Sequence, residues 1–158
     1  MTECRVLVSY AQLAVFRSDL QHPFNNWTDK HVAQGFSWRP GSVSFRSLIE
    51  SGMHSISIDV VDQLGSLDAT VVRAVEVPFD VPESGCIEVG SIGDAVPLSL
   101  APGAYLLRCE FLTPGPDGGE RVQLKFSKSD PANFAISRAD SDLSVEGDLV
   151  TSAEPAVA

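Results

Sequence analysis

The sequence has few basic residues. Its 158 residues include 11 lysines and arginines against 21 aspartates and glutamates, which gives a formal net charge of −10 at pH 7. No cluster of lysines and arginines occurs in the chain. Because a protein that binds nucleic acid directly needs such a cluster to neutralise phosphates, we expect no direct nucleic-acid binding. The excess of acid favours high solubility or a basic partner instead.

Residues that hold metals or carry out catalysis are also scarce. Three cysteines and three histidines occur without a C-x-x-C or H-x-x-x-H pair, so we expect no metal site and no other cofactor. The chain has no G-x-S-x-G motif and no glycine-rich loop with a phosphate-binding lysine. We therefore expect no catalytic residue and no enzyme activity.

Long apolar runs are missing as well. No stretch of about 18 apolar residues is present, so we expect no membrane-spanning segment. Ser9 and Gln12 interrupt the apolar residues of positions 6–16, and no secretion signal is recognisable there. The odd number of cysteines favours a reducing, cytoplasmic location.

Alternation of apolar and polar residues is the dominant pattern that the chain does show. This period of two is typical of antiparallel strands with one buried face, and glycines and prolines separate the runs at strand-length spacing. We predict an all-β fold, an antiparallel, Greek-key-like β-sandwich of two sheets with about eight to ten strands. The apolar faces predict ten core residues, which are Val15, Phe45, Ile56, Ile58, Val77, Phe79, Tyr105, Leu107, Leu124 and Phe126.

One segment has the pattern of a short helix. Thr28 is a suitable N-cap, Asp29 suits the positive end of a helix, and Gly35 is a suitable C-terminal residue. A helix is therefore predicted over residues 29–34. Trp27 stands directly before it, and we expect this side chain to pack in the core, with Val32 as its partner in a hydrophobic staple.

A second local signal precedes the strand that begins near Tyr105. A Pro102-Gly103 turn that leads into a tyrosine is typical of the tyrosine corner of Greek-key sandwiches. In that motif the tyrosine hydroxyl bonds a backbone group just upstream and fixes the crossover. A plain turn followed by a core tyrosine is the alternative.

The composition changes after residue 138. We predict a sandwich domain over residues 1–138 and an acidic tail over residues 139–158. Such a tail is expected to be at least partly flexible, or to dock on a basic partner. Its five charged residues are all acidic, namely Asp140, Asp142, Glu146, Asp148 and Glu154.

Three residues are candidates for contact with a partner. Trp38 stands beside an arginine, and these two residue types often anchor interfaces. Asp59 and Asp62 are expected to be solvated surface acids, since strand alternation would separate them unless the chain turns there.

Two alternative hypotheses about the function of the protein stay open. A groove lined by Trp27, Phe36 and Trp38 would indicate a carbohydrate- or small-ligand-binding module. A cluster of His54, Asp59 and Asp62 in a cleft would indicate a hydrolase.

Six short segments in the front part of the chain carry a family resemblance, namely Ser9-Tyr10, Gln12, Val15-Phe16, Asn26-Trp27-Thr28-Asp29, Gly35-Phe36 and Ser44-Phe45. With these segments the chain resembles the competence protein J family, inhibitors of a bacterial DNA-entry nuclease. Weaker similarity continues at residues 77–81 and 102–105. The resemblance implies a small cytoplasmic protein that is not an enzyme, and that binds a basic nuclease of the DNA-entry type and blocks it. We expect the contact face to be acidic and to include Trp38, Asp59 and Asp62.

Overall fold

The computed structural model describes residues 2–157. These residues form eleven strands and one short helix, so the strands exceed the expected number by one. The strands are β1 Thr2–Val8, β2 Gln12–Arg17, β3 Phe36–Arg39, β4 Ser42–Arg46, β5 Gly52–Val61, β6 Val71–Val81, β7 Cys86–Ser91, β8 Asp94–Ser99, β9 Gly103–Leu112, β10 Glu120–Ser127 and β11 Ala135–Arg138, and the helix α1 is Asp29–Gln34.

The strands make two sheets that pack as a sandwich. Sheet A has the order β1-β5-β10-β9-β6-β11, and sheet B has the order β3-β4-β2-β7-β8. The pairings are antiparallel except that of β5 with β10, which is parallel. Many neighbours in a sheet are not consecutive in the chain, as in Greek-key sandwiches. The predicted fold class is confirmed.

The core lies between the sheets. All ten predicted core residues are buried, and none is more than 5% exposed. Phe79, Tyr105 and Phe126 pack edge to face, with ring centroids 6.1 Å and 5.8 Å from that of Phe126. The face assignments made from alternation are therefore confirmed, and no strand that contributes to this set has slipped by one residue.

The tyrosine corner is present. The Tyr105 hydroxyl donates a hydrogen bond of 2.7 Å to the backbone carbonyl of Ala101, four residues upstream. This bond fixes the start of β9 where the chain crosses from β8 in sheet B to sheet A.

The helix begins and ends where the sequence predicts. Thr28 Oγ1 accepts from the backbone N–H of His31, and the Thr28 N–H donates to His31 Nδ1 at 3.0 Å, which completes a reciprocal cap. Gly35 ends the helix at φ 88°, and a Cβ on it would lie 2.9 Å from Leu143 Cδ2. The positive φ therefore favours glycine there, and a Cβ would in addition have to displace the end of the Leu143 side chain.

Residues 139–157 run along this helix. The Gln34 side chain exchanges two hydrogen bonds of 2.9 Å with the backbone of Val150. Further along, the Asn26 N–H donates to the carbonyl of Glu154. The segment that composition alone indicates to be flexible thus supplies partners to α1 and to the strand-like residues before it. Within residues 2–157, no helix has the length and apolar character needed to cross a bilayer.

Candidate functional site

Trp38 lies in β3, at the edge of sheet B, and is half-buried. Its indole Nε1 donates a 2.7 Å hydrogen bond to the carbonyl of Pro78 in β6, and its ring meets Phe134 edge-on at 4.9 Å. The side chain therefore ties the two sheets together. Only the exposed part of the ring is available to a partner, and its role in binding stays a prediction.

Asp59 and Asp62 lie at the far end of β5. Asp59 is half-buried on the outer face of sheet A, where Lys125 is its neighbour in register, and Asp62 is exposed just beyond the strand. Three strand steps of about 4.8 Å separate β5 from β6, to which Trp38 is bonded. The structure does not bring the three predicted residues into one cluster, and a common partner that contacts all of them stays a prediction.

The two other arrangements considered from the sequence do not form. Phe36 is fully buried and stacks on Phe134, so it lines no groove with Trp27 and Trp38. His54 points into the core and is 1% exposed, whereas Asp59 lies on the opposite face of the same strand. In residues 2–157, no three histidine, cysteine or acidic side chains come together as metal ligands.

The outer face of sheet A holds a buried ion cluster that alternation did not predict. Arg108 and Glu110 alternate with apolar residues in the sequence of β9, and this alternation predicts that they face water, yet they are 2% and 1% exposed. That expectation is wrong because residues 62–70, which connect β5 to β6, cover the sheet there. Arg108 donates to Glu110 at 2.7 Å and to the carbonyls of Leu64 and Gly65.

A second buried cation lies between the sheets. Arg73, the polar break in the apolar face of β6, donates to both carboxylate oxygens of Asp140, at 2.8 and 2.9 Å, and to the carbonyl of Arg46. Burial works against ionisation of Asp140, but the hydrogen bonds and charge of Arg73 outweigh it and hold the pKa of this carboxyl below its ordinary value.

The turn between β1 and β2 has an unusual backbone. Tyr10 and Ala11 have φ angles of 57° and 56°, a region that favours glycine and asparagine. Within the turn, the Gln12 N–H donates to the carbonyl of Ser9. Ala11 ties the turn to the β4–β5 connection, because its N–H donates to the carbonyl of Glu50 and its carbonyl accepts from the N–H of Ser47. Tyr10 is 70% exposed at the tip.

A pocket opens beside this turn, which we call the hairpin pocket. It has a volume of about 220 Å³. Two polar atoms of its lining residues, Gln12 Oε1 and Trp27 Nε1, are buried without a hydrogen-bond partner in residues 2–157. Three separate parts of the chain supply its lining, which consists of Tyr10, Ala11, Gln12, Trp27, Val32 and Arg46.

An open acidic cleft lies at the other end of β2. Asp19, Asp80 and Glu83 line it, and Arg17 is the basic residue of the lining. Arg17 forms a 2.9 Å ion pair with Asp19, and its hydrogen bond holds the pKa of that exposed carboxyl below the ordinary value. The cleft therefore presents net negative charge, which suits a cationic partner.

These features define an acidic, two-sheet antiparallel β-sandwich with an inter-sheet tryptophan and surface pockets at its ends. The sequence model of the competence protein J family matches residues 5–127, and the chain belongs to that family. The tail beyond residue 138 lies outside the match.

One solved structure shows the same fold. It is described as the crystal structure of ComJ, inhibitor of the DNA degrading activity of NucA, from Bacillus subtilis. The similarity has a TM-score of 0.67 and 21% sequence identity, and covers 81% of this chain and 96% of that one. No curated protein matches the sequence.

Proposed function

We propose that this protein is a cytoplasmic inhibitor that binds a basic nuclease of the DNA-entry type and blocks its cleavage of DNA. The observation that carries the proposal is membership of the competence protein J family over residues 5–127. The structural relative from Bacillus subtilis is described as an inhibitor of a DNA-degrading activity, and it shares the sandwich fold. In this proposal the chain acts by occupying a site on the nuclease and is not itself an enzyme.

The charge of the molecule supports the proposal. A nuclease must present a cationic surface to bind phosphates, and an inhibitor with a net charge of −10 is attracted to that surface. The acidic cleft at Asp19, Asp80 and Glu83 adds local negative charge. Attraction of this kind speeds association and selects basic partners, while short-range contacts supply the remaining affinity.

The direct test is an assay of DNA cleavage by the purified NucA-type nuclease of the same cell, with and without this protein. We expect cleavage to stop when the inhibitor is in molar excess at low salt. Unchanged cleavage under those conditions would refute the proposal. Bovine serum albumin, another acidic protein, is the control for nonspecific charge effects.

The contact residues are tested by charge reversal. The proposal includes Trp38, Asp59 and Asp62 in the contact face, so Asp59→Lys and Asp62→Lys should each weaken inhibition. Asp117→Lys, which makes the same charge change in the exposed loop between β9 and β10, is the matched control. If both β5 variants inhibit as well as the control variant, the choice of face is wrong and the inhibitor function stands.

A further inference from the structure

We propose that the hairpin pocket is a further docking site for the protein partner, at the opposite end of β5 from Asp59 and Asp62, and that it takes one uncharged side chain with an apolar body and a polar tip from a loop of the cationic nuclease. The inference rests on the proposed function and deepens it by naming a contact site. Tyrosine is the side chain that fits best, because its ring is apolar and its hydroxyl both donates and accepts.

The two unpartnered atoms indicate a polar group that is absent from the free protein. Trp27 Nε1 is a donor and Gln12 Oε1 is an acceptor, and both are buried without a partner in the described residues. Buried polar groups are almost always hydrogen-bonded, so two unpartnered atoms on residues of one pocket lining indicate that a bound partner supplies what they lack. A hydroxyl both donates and accepts, so it matches the chemistry of either atom. A lysine or arginine tip offers no acceptor to Trp27 and would meet the charge of Arg46.

The size of the pocket decides between a side chain and a free small ligand. Pockets for drug-sized molecules have volumes of about 300–1,000 Å³, whereas a cavity of about 150 Å³ holds a benzene ring. The hairpin pocket, at about 220 Å³, lies between the two and suits one aromatic side chain. This favours a segment of a protein over a sugar or a nucleotide.

The surroundings of the pocket have the composition of a protein interface. In the described part of the chain, five exposed large apolar side chains lie on or beside the hairpin, the start of β5 and α1, at this end of the sandwich. An apolar patch that surrounds a pocket and is rimmed by charge is typical of docking surfaces. The five are Leu7, Tyr10, Val32, Ile49 and Met53.

The charged rim indicates a cationic partner. The Arg46 guanidinium donates to the backbone carbonyls of Val32 and Asp142. The Lys30 ammonium donates to the backbone carbonyl of Glu146. Exposed acids outnumber these two cations, so the rim is net negative and complements a basic protein. The acids are Asp29, Glu50, Asp142 and Glu146.

The strained turn between β1 and β2 holds Tyr10 at its exposed tip, where this side chain can anchor the interface. Tyr10 adopts a left-handed conformation that costs about 1–3 kcal/mol for such a residue, where asparagine or glycine would fit with less strain. The Tyr10 side chain is 70% exposed, so little of its ring is buried in the free fold. Strain of this kind concentrates at binding sites, and tyrosine and tryptophan are frequent hot spots.

The test uses three variants that keep the fold. Trp27→Phe removes the donor but keeps a ring, Gln12→Met removes the acceptor but keeps the length, and Tyr10→Asn removes the ring while accepting the left-handed backbone. Each should weaken binding of the purified nuclease, measured by calorimetry, by about tenfold or more. The unfolding midpoint of Tyr10→Asn should not fall. Val157→Ala, an exposed apolar residue outside both the pocket lining and the face at Asp59 and Asp62, is the control.

A second readout follows the pocket directly. Labelling with 5-fluorotryptophan gives two fluorine resonances, from Trp27 and Trp38, which the Trp27→Phe variant assigns. Addition of the unlabelled nuclease should shift the Trp27 resonance. If the wild-type protein binds and inhibits but the variants bind equally well and the Trp27 resonance does not move, the docking site is wrong and the inhibitor function stands.

Two other outcomes are decisive. If the wild-type protein neither binds nor inhibits the nuclease, the proposed function and the docking site both fail. If free sugars from a monosaccharide panel shift the Trp27 resonance while the nuclease does not, the pocket is a small-ligand site and the inference is overturned.

Discussion

Arg73 is the residue on which several parts of the fold depend. It is buried on the inner face of β6, its guanidinium lies 6.0 Å from the Phe111 ring centroid, and both oxygens of Asp140 accept hydrogen bonds from it. It thereby links sheet A to the end of β4 and to residues past β11. A buried cation without its carboxylate is costly, so this pair is a strong determinant of stability.

We predict that Asp140→Asn lowers the free energy of unfolding by about 3 kcal/mol at pH 7, because it leaves Arg73 buried without its partner charge. Asp142→Asn is the matched control. Asp142 lies 3.9 Å from Arg73 and is 59% exposed, so its loss should cost about 1 kcal/mol or less. Urea unfolding of the three proteins measures both values, and equal losses would contradict the central role of Asp140.

The pH dependence of this pair has a definite sign. The folded-state pKa of Asp140 is lowered, so its contribution is fully present above the unfolded pKa of about 3.9. It is lost as the pH falls through the lower, folded-state pKa. The difference in stability between wild type and Asp140→Asn should therefore be constant from pH 7 to pH 5 and shrink below pH 4. A difference that grows on acidification would rule out this assignment.

Single residues were predictable where their surroundings are local. Thr28 and Gly35 bound the helix through contacts within a few residues, and both positions are confirmed. Arg73 appeared in the sequence only as a polar break in an apolar face, since its partner Asp140 is 67 residues away. The role of Trp38 in joining the two sheets was likewise not predictable, because its hydrogen-bond partner Pro78 is 40 residues away in the sequence.

At the scale of elements, the tyrosine corner fixes the crossover into β9. We predict that Tyr105→Phe lowers the free energy of unfolding by about 1 kcal/mol. The substitution keeps the ring but removes the hydroxyl that donates to the carbonyl of Ala101. Tyr10→Phe is the control, since Tyr10 is the only other tyrosine and is 70% exposed. The free energy of unfolding of the Tyr10→Phe variant should equal that of the wild type. Equal effects of the two substitutions, measured by urea unfolding, would show that the hydroxyl bond contributes nothing.

Strands were predictable from alternation, but what covers their outer faces was not. Alternation correctly assigned the inner face of β9 and β10, whereas it placed Arg108 and Glu110 in water. Alternation with a period of two shows on which side of a strand a residue lies. It does not show whether a distant connection, such as residues 62–70, covers that side. The same limit explains why the contacts of residues 139–157 with α1 were not foreseen from an acidic composition.

At the scale of the whole molecule, the acid charge and the hairpin pocket have separate roles. The net charge acts over a distance and governs how fast a cationic partner arrives, while the pocket acts only on contact and governs how long it stays. The sequence showed the first directly. It showed the second only as residues in three separated segments, around positions 10–12, 27–32 and 46, which the fold brings together.

Salt should therefore separate the two roles. The Debye length falls from about 30 Å at 0.01 M to about 8 Å at 0.15 M ionic strength, so a protein with a net charge of −10 should associate with the nuclease about tenfold more slowly at the higher salt, with little change in dissociation rate. Stopped-flow mixing at several salt concentrations measures both rates. Asp62→Lys should lower the association rate and flatten its dependence on salt, because Asp62 is an exposed charge. Trp27→Phe leaves the charge unchanged and should act on the dissociation rate alone. An association rate that does not respond to salt would show that charge does not steer this protein to its partner.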